Sequence, residues 1–112
     1  MRSPDATLLD IHQAGRLAVE FARDVPDAAA FARDVKTRAA VLHELTVLGE
    51  AVKRLPQAFR DAHPTLPWRR MAGMRDVLIH AYDAVDDALV WEILHTELPP
   101  VLDALAPLLP TR

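Results

Sequence analysis

The chain has 112 residues, of which 51% are apolar, so it is long enough and apolar enough to bury the core of one domain spanning residues 1–112. The absence of cysteine excludes disulfides, thiol nucleophiles and thiolate-bound metals, and a net charge of −3 excludes a broadly basic surface. Alanine and leucine dominate while aromatics make up only 5%, which favours helices over a β-sandwich or barrel.

The N-terminal third predicts one long helix and one short one. Ser3-Pro4 is a typical helix start, and apolar residues then recur every three or four positions from about Asp5 to Arg23. Val25-Pro26-Asp27 interrupts this pattern, because proline disfavours helix in the residue before it. An alanine-rich turn from Ala28 to Ala32 follows as a short helix.

A second long helix is predicted from about Asp34 to His63. Its apolar seam has spacings of 4-3-4-3-4 and consists of Val41, Leu45, Leu48, Val52, Leu55 and Phe59. We expect this seam to lie mainly in the core, with an edge that a second copy of the chain could share. Gly49 and Ala51 offer a place where another backbone could approach closely, and Pro56 is expected to bend the helix.

Two further helices complete the predicted fold. The third runs from about Trp68 to Tyr82, and Asp83 or Asp86 is expected to cap the fourth, from about Asp87 to Leu109. Pro99-Pro100 is expected to kink the fourth helix. Four main helices plus a short helix, joined by short connections, predict an all-α, up-and-down bundle.

No segment of the sequence predicts a membrane-spanning helix, a metal site or a cofactor site. No apolar run approaches the roughly 20 residues of a membrane span, and the N-terminus lacks a signal-peptide pattern, so we expect a cytoplasmic protein. None of the five histidines has another at i+3 or i+4, so no metal site is expected. Glycine-rich phosphate loops and nucleophile elbows are also absent, and no cofactor is predicted.

The strongest chemical candidates lie in the octapeptide from Arg75 to Tyr82. On a regular helix Arg75 and Tyr82 lie within about 20° of each other, whereas His80 stands about 140° from Arg75. Either the helix loosens near His80, or a second protomer brings the two groups together across a two-fold axis. Asp76 lies four residues before His80 and could orient the imidazole, although an ordinary surface pair has the same spacing.

This octapeptide and several other blocks resemble the HepT-like toxins of the HEPN superfamily. The family signature R-x4-H-x-Y is matched by Arg75, His80 and Tyr82. The remaining resemblance covers most of residues 5–108, and its blocks are Phe31 to Thr37, Leu48-Gly-Glu-Ala-Val-Lys-Arg-Leu-Pro56, His63-Pro64 with Pro67-Trp68-Arg69, Trp91-Glu92, and Leu98-Pro99.

The resemblance implies a homodimer, or a higher oligomer, that acts as a metal-independent endoribonuclease. Arg75 and His80 from both subunits would then line one cleft. His80 would move a proton between the ribose 2′-hydroxyl and the leaving oxygen, and Arg75 would clamp the scissile phosphate. The implied products are a 2′,3′-cyclic phosphate and a 5′-hydroxyl. Arg69 and Arg70 are expected to contact RNA, while Glu50 either caps or braces the partner's motif or faces water.

The resemblance also implies a partner and a role in a type VII toxin–antitoxin system. The antitoxin of such pairs is a small nucleotidyltransferase, MntA, that attaches AMP to the tyrosine at the position of Tyr82. AMP at that position would compete with RNA for Arg75. Two alternatives remain open, namely a HEPN module that binds nucleotide or RNA without cutting it, and a chain that is only the substrate subunit of the nucleotidyltransferase.

Overall fold

A computed structural model describes residues 3–79 and 86–110 of the chain, and this part is helical with no strand. None of its helices is both long enough and apolar enough to cross a membrane. Its α-helices are α1 (Pro4–Phe21), α2 (Ala28–Arg33), α3 (Val35–Arg54), α4 (Gln57–Ala62), α5 (Trp68–Ile79), α6 (Asp87–Glu92) and α7 (Leu98–Leu105). A π turn (Ile93–Glu97) joins α6 to α7, and a 3-10 turn (Ala106–Leu108) follows α7.

Side-chain caps fix the starts of four helices. Ser3 accepts a hydrogen bond from the Ala6 N–H at 3.2 Å, with Pro4 as the first helical residue, as the sequence predicts. Asp86 caps α6 by accepting from the Leu89 N–H, so the second of the two predicted caps is confirmed. Asp27 and Asp34 cap α2 and α3 in the same way.

The core lies between α1, α3, α5 and the stretch from α6 to α7. Helix α3 is central, because it packs against both α1 and α5, while α1 also packs against α7. The predicted apolar seam is confirmed: five of its members are at most 2% exposed, and Phe59 is partly buried against them. The all-α class, with four main helical stretches and the short α2, is therefore as predicted.

The prediction of one continuous helix from Asp34 to His63 is wrong at Leu55-Pro56, where the structure has two helices. Helix α3 ends at Arg54, Leu55 is extended (φ −68°, ψ 135°), and α4 begins as a separate helix at Gln57. Pro56 causes the break, since its ring disfavours helical geometry in the preceding residue and its nitrogen donates no hydrogen bond. The proline thus separates two helices where the sequence predicts a bend in one.

The C-terminal helical stretch contains its irregularity one turn before the predicted position. A π turn occupies Ile93–Glu97, and the Leu98 N–H bonds to the Ile93 carbonyl. Pro99 then occupies the first turn of α7, where a missing N–H costs least. This arrangement lets the chain carry Pro99-Pro100 within a helical path and still bury the side chains of Leu98, Val101 and Leu105.

Candidate functional site

Arg75 lies at a point where α5 packs tightly against α3. A Cβ atom built on Gly49 of α3 would lie 2.6 Å from the Arg75 Cβ and 2.9 Å from its backbone nitrogen. Real Cβ atoms do not approach that closely, so a side chain at this position would force α3 and α5 apart. The predicted close approach at Gly49 is confirmed, and the helix that makes it is the one that carries Arg75.

Arg75 belongs to a network of four charges on the α3–α5 surface. Its Nε donates to Oε1 of Glu50 at 2.8 Å, and its Nη1 lies 3.5 Å from Oδ1 of Asp76. Lys53 Nζ donates to the same Asp76 oxygen at 3.0 Å. Among residues 3–79 and 86–110 the network contains two cations and two carboxylates, whose formal charges balance.

The geometry of this network leaves one edge of the Arg75 guanidinium available to a ligand. Glu50 is engaged at Nε, and the Arg75 side chain is 31% exposed. Nη2 has no hydrogen-bond partner among the described residues, and the contact of Nη1 with Asp76 is long for a hydrogen bond, so an arginine held at Nε can still turn both nitrogens to two oxygens of a phosphate. Glu50 therefore contacts the motif arginine of its own chain, and its bracing of a partner's motif stays a prediction.

The other two members of the R-x4-H-x-Y motif, His80 and Tyr82, lie outside the described residues. The predicted contact between Asp76 and His80, and the predicted cap Asp83, also fall outside them. Helix α5 is described as far as Ile79. The placement of His80 relative to Arg75 thus stays a prediction.

An open groove with a volume of about 870 Å³ lies beside the charged network. It runs between the C-terminal end of α3, helix α4, the proline loop (residues 63–67) and the start of α5. Lys53 and Asp76 belong both to the network and to the groove. Three cations and two carboxylates line it, namely Lys53, Arg60, Arg69, Asp61 and Asp76.

The two arginines predicted to contact RNA lie on different surfaces. Arg69 lines the groove beside the network. Arg70 instead forms an ion pair with Glu97 of the π turn. Both residues line two smaller, mainly apolar grooves between α5 and the C-terminal helical stretch. The hydrogen bond from Arg70 holds the pKa of the Glu97 carboxyl below its ordinary value.

Sequence reasoning missed Arg60 as a candidate site residue. The missing signal was the break at Pro56, which starts α4 and brings Arg60 to the wall of the groove. On one continuous helix from Asp34 to His63, Arg60 would lie near the C-terminal end, with nothing in the sequence to link it to Arg75. Within residues 3–79 and 86–110 no group of three or more His, Asp or Glu side chains is placed to hold a metal ion.

The chain is similar along most of its length to proteins that are named as probable or putative ribonucleases. A family model described as "Ribonuclease HepT-like" matches residues 11–108. A Thermococcus cleftensis protein named "Probable ribonuclease HepT" is 43% identical over 100 residues, which is 88% of each chain. Two Methanocaldococcus jannaschii proteins are each named a "Putative RNase". One is 34% identical over 89% of this chain and 91% of its own length, and the other is 38% identical over 84% of this chain and 77% of its own length. No solved structure gives a significant match.

Proposed function

The chain belongs to the HepT-like ribonuclease family, and from this premise we propose that it is a metal-independent endoribonuclease and the toxin of a type VII toxin–antitoxin pair. The observation that carries the proposal is the hold on Arg75. Gly49 brings α5 against α3, and Glu50 then fixes the guanidinium through Nε. A guanidinium fixed in advance stabilises developing negative charge without the cost of reorganising during the reaction.

In the proposed reaction the ribose 2′-hydroxyl attacks the adjacent phosphorus atom. The bond from phosphorus to the 5′-oxygen breaks, which gives a 2′,3′-cyclic phosphate and a 5′-hydroxyl. His80 moves the proton between the two oxygens, since an imidazole titrates near neutral pH. Arg75 binds the phosphate through Nη1 and Nη2 and offsets the extra charge of the pentacoordinate transition state.

The proposed active unit is a homodimer. On a regular α5 a residue five positions after Arg75 points about 140° away, so Arg75 and His80 of one chain would face different directions. A two-fold axis along this surface would place the arginine of one copy against the histidine of the other. Both copies would then share one phosphodiester cleft.

RNA cleavage tests this proposal directly. Purified wild-type protein is expected to cut single-stranded RNA in the presence of a metal chelator, and His80→Ala is expected to abolish cleavage. Arg75→Ala should reduce the rate by roughly 100-fold or more, the usual effect of losing a donor to a transition-state charge. Arg33→Ala, which removes the same charge from α2, is the control and should cut like the wild type. If the wild type and His80→Ala act alike on RNA, a non-cleaving RNA-binding module replaces the ribonuclease.

The proposed partner is a nucleotidyltransferase antitoxin of the MntA type that attaches AMP to Tyr82. Tyr82 follows Arg75 by seven residues, so on a regular helix the added phosphate would lie on the arginine's face and compete with RNA. Incubation with such a partner and ATP is expected to raise the intact mass by one or more AMP groups and to stop RNA cleavage. An equal mass gain in Tyr82→Phe would remove Tyr82 from the proposal.

A further inference from the structure

We propose that the groove between α3, α4, the proline loop and α5 binds the RNA strand on one side of the scissile phosphate, with Arg60 and Arg69 contacting backbone phosphates. This inference rests on the proposed ribonuclease function and extends it to the substrate segment beyond the cleaved bond. It assigns a role in RNA binding to Arg60, which lies outside the R-x4-H-x-Y motif. It also gives that role to Arg69 and not to its neighbour Arg70.

The charged network around Arg75 contributes little to the electrostatic attraction of RNA, so other residues must supply it. Its two cations already face two carboxylates, with Arg75 on Glu50 and Lys53 on Asp76. A balanced group of charges contributes little long-range attraction to a polyanion, and the whole chain carries a net charge of −3. RNA affinity therefore requires cations near Arg75 that are not neutralised.

Arg60 and Arg69 meet that requirement. The side chain of neither arginine forms an ion pair or a hydrogen bond with any residue in the described ranges, whereas those of Arg38 and Arg70 are held by Asp87 and Glu97. Both unpaired arginines line the same groove. Two uncommitted guanidinium groups thus lie on the wall that adjoins the motif arginine, whereas Arg33 and Arg54, which also have no side-chain partner among the described residues, lie outside the groove.

Arg60 carries an additional sign of an absent acceptor. Its Nε is shielded from solvent and has no hydrogen-bond partner among the described residues. An unsatisfied buried donor is costly, and native proteins usually supply a protein, water or ligand acceptor. A phosphate bound in the groove that Arg60 lines would offer this donor an acceptor.

The wall of the groove is formed before any ligand arrives. Trp68 is only 6% exposed, and its indole N–H donates to the His63 carbonyl at 2.9 Å, which ties the proline loop to the start of α5. Phe59 of α4 packs on the His63 ring, with centroids 4.6 Å apart, and on Trp68. A rigid wall that holds Arg60 and Arg69 lowers the ordering cost of binding an extended strand.

The groove and the motif arginine form one continuous surface. Asp76 is in contact with Arg75, and both Asp76 and Lys53 line the groove. A strand whose scissile phosphate lies on Arg75 enters the groove past Lys53 and continues toward Arg69 and Arg60. Single-stranded RNA fits this path better than a folded partner, because the free groups are guanidiniums along an open channel.

Binding of a non-cleavable strand tests the inference separately from catalysis. The probe is a fluorescent single-stranded 2′-O-methyl RNA of about 12 nucleotides, which lacks the attacking hydroxyl, and the readout is anisotropy at several salt concentrations. The variant R60Q/R69Q is expected to raise Kd at least tenfold. It should also lower the slope of log K against log salt by about 0.7 for each phosphate that the variant no longer neutralises. The control R16Q/R33Q changes the net charge equally on α1 and α2 and should leave both quantities at wild-type values.

The outcomes distinguish the groove from the catalytic proposal. If the wild type binds the probe and R60Q/R69Q binds it as tightly as R16Q/R33Q does, the groove inference is overturned even when RNA is cleaved. If R60Q/R69Q loses binding but the wild type cuts no RNA, the groove stands and the ribonuclease proposal fails. Failure of the wild type to bind the probe also overturns the inference. Circular dichroism of all variants checks that each is folded.

Discussion

The three glycines of the chain, all of them in helices, predict a graded response to replacement by alanine. None has a positive φ, so backbone conformation does not require glycine at any of them. Alanine stabilises a helix interior by about 1 kcal/mol relative to glycine. The three sites therefore gain equally from helix propensity and differ in what the added methyl group meets.

The contacts at each site set the expected magnitudes. At Gly73 nothing lies within 4 Å of the new Cβ, so Gly73→Ala should stabilise the fold by about 1 kcal/mol. At Gly15 the nearest atom is the Cδ2 of Leu102 at 2.8 Å, the end of a side chain that can rotate, so the gain and the cost should nearly cancel. At Gly49 the Cβ meets the Arg75 backbone nitrogen at 2.9 Å, and the helices must separate. Overpacking costs about 1–3 kcal/mol, and contact with both the backbone and the side chain of Arg75 favours the upper part of this range, about 2–3 kcal/mol. After the gain of about 1 kcal/mol from helix propensity, a net loss of about 1–2 kcal/mol is expected.

Urea denaturation followed by circular dichroism at one fixed protein concentration measures these differences. The expected order of stability is Gly73→Ala above Gly15→Ala, with Gly49→Ala lowest. The melting temperature should rise by roughly 4 °C for the first variant and fall by roughly 4–8 °C for the last. Equal stability of Gly49→Ala and Gly73→Ala would refute the close contact between α3 and α5, and with it the reasoning that places Arg75.

Two further predictions concern ion pairs. In RNA cleavage, kcat should fall in the order wild type, Glu50→Gln, Glu50→Ala, with KM little changed. The reason is that the amide oxygen of Gln still accepts a hydrogen bond from the Arg75 Nε, whereas Ala has no acceptor. Equal kcat in the two variants would contradict positioning by Glu50. The pKa of Glu97 is lowered in the fold from 4.5 by the hydrogen bond from Arg70, so this pair stabilises the protein above the unfolded pKa and loses its effect as pH falls through the folded pKa. Urea midpoints at pH 7, 5, 4 and 3 should therefore fall less steeply below pH 5 in Arg70→Ala than in the wild type; parallel profiles would exclude the linkage.

Local patterns in the sequence predict most of the fold. The spacing of the apolar seam specifies the buried face of α3, and the caps at Ser3 and Asp86 follow from short-range hydrogen bonds. The separation of α3 from α4 does not follow from the sequence, because a proline inside a periodic pattern is compatible with either a bend or a break. Tertiary packing decides between them.

The candidate site is less predictable because its residues come together through packing between helices. Spacing predicts a close approach at Gly49 but not that α5 makes it, and it leaves open what Glu50 contacts. Arg69 and Arg70 are neighbours in sequence, yet the helical turn of about 100° per residue directs one to the groove and the other to Glu97. Arg60 becomes visible as a candidate only once α4 is seen to be a separate helix.

Adjacent positions on α3 separate the stability of the bundle from the orientation of Arg75. Gly49 determines how close α5 lies, so its replacement should lower both stability and cleavage. Glu50 is 46% exposed at its side chain and contacts the guanidinium end of Arg75, so its replacement should lower cleavage with little effect on stability. The double variant distinguishes two cases. If Gly49→Ala lowers cleavage and adding a Glu50 replacement lowers it no further, displacement of α5 alone disables Arg75. An additive loss would mean that the position of the helix and the orientation of the guanidinium are set independently.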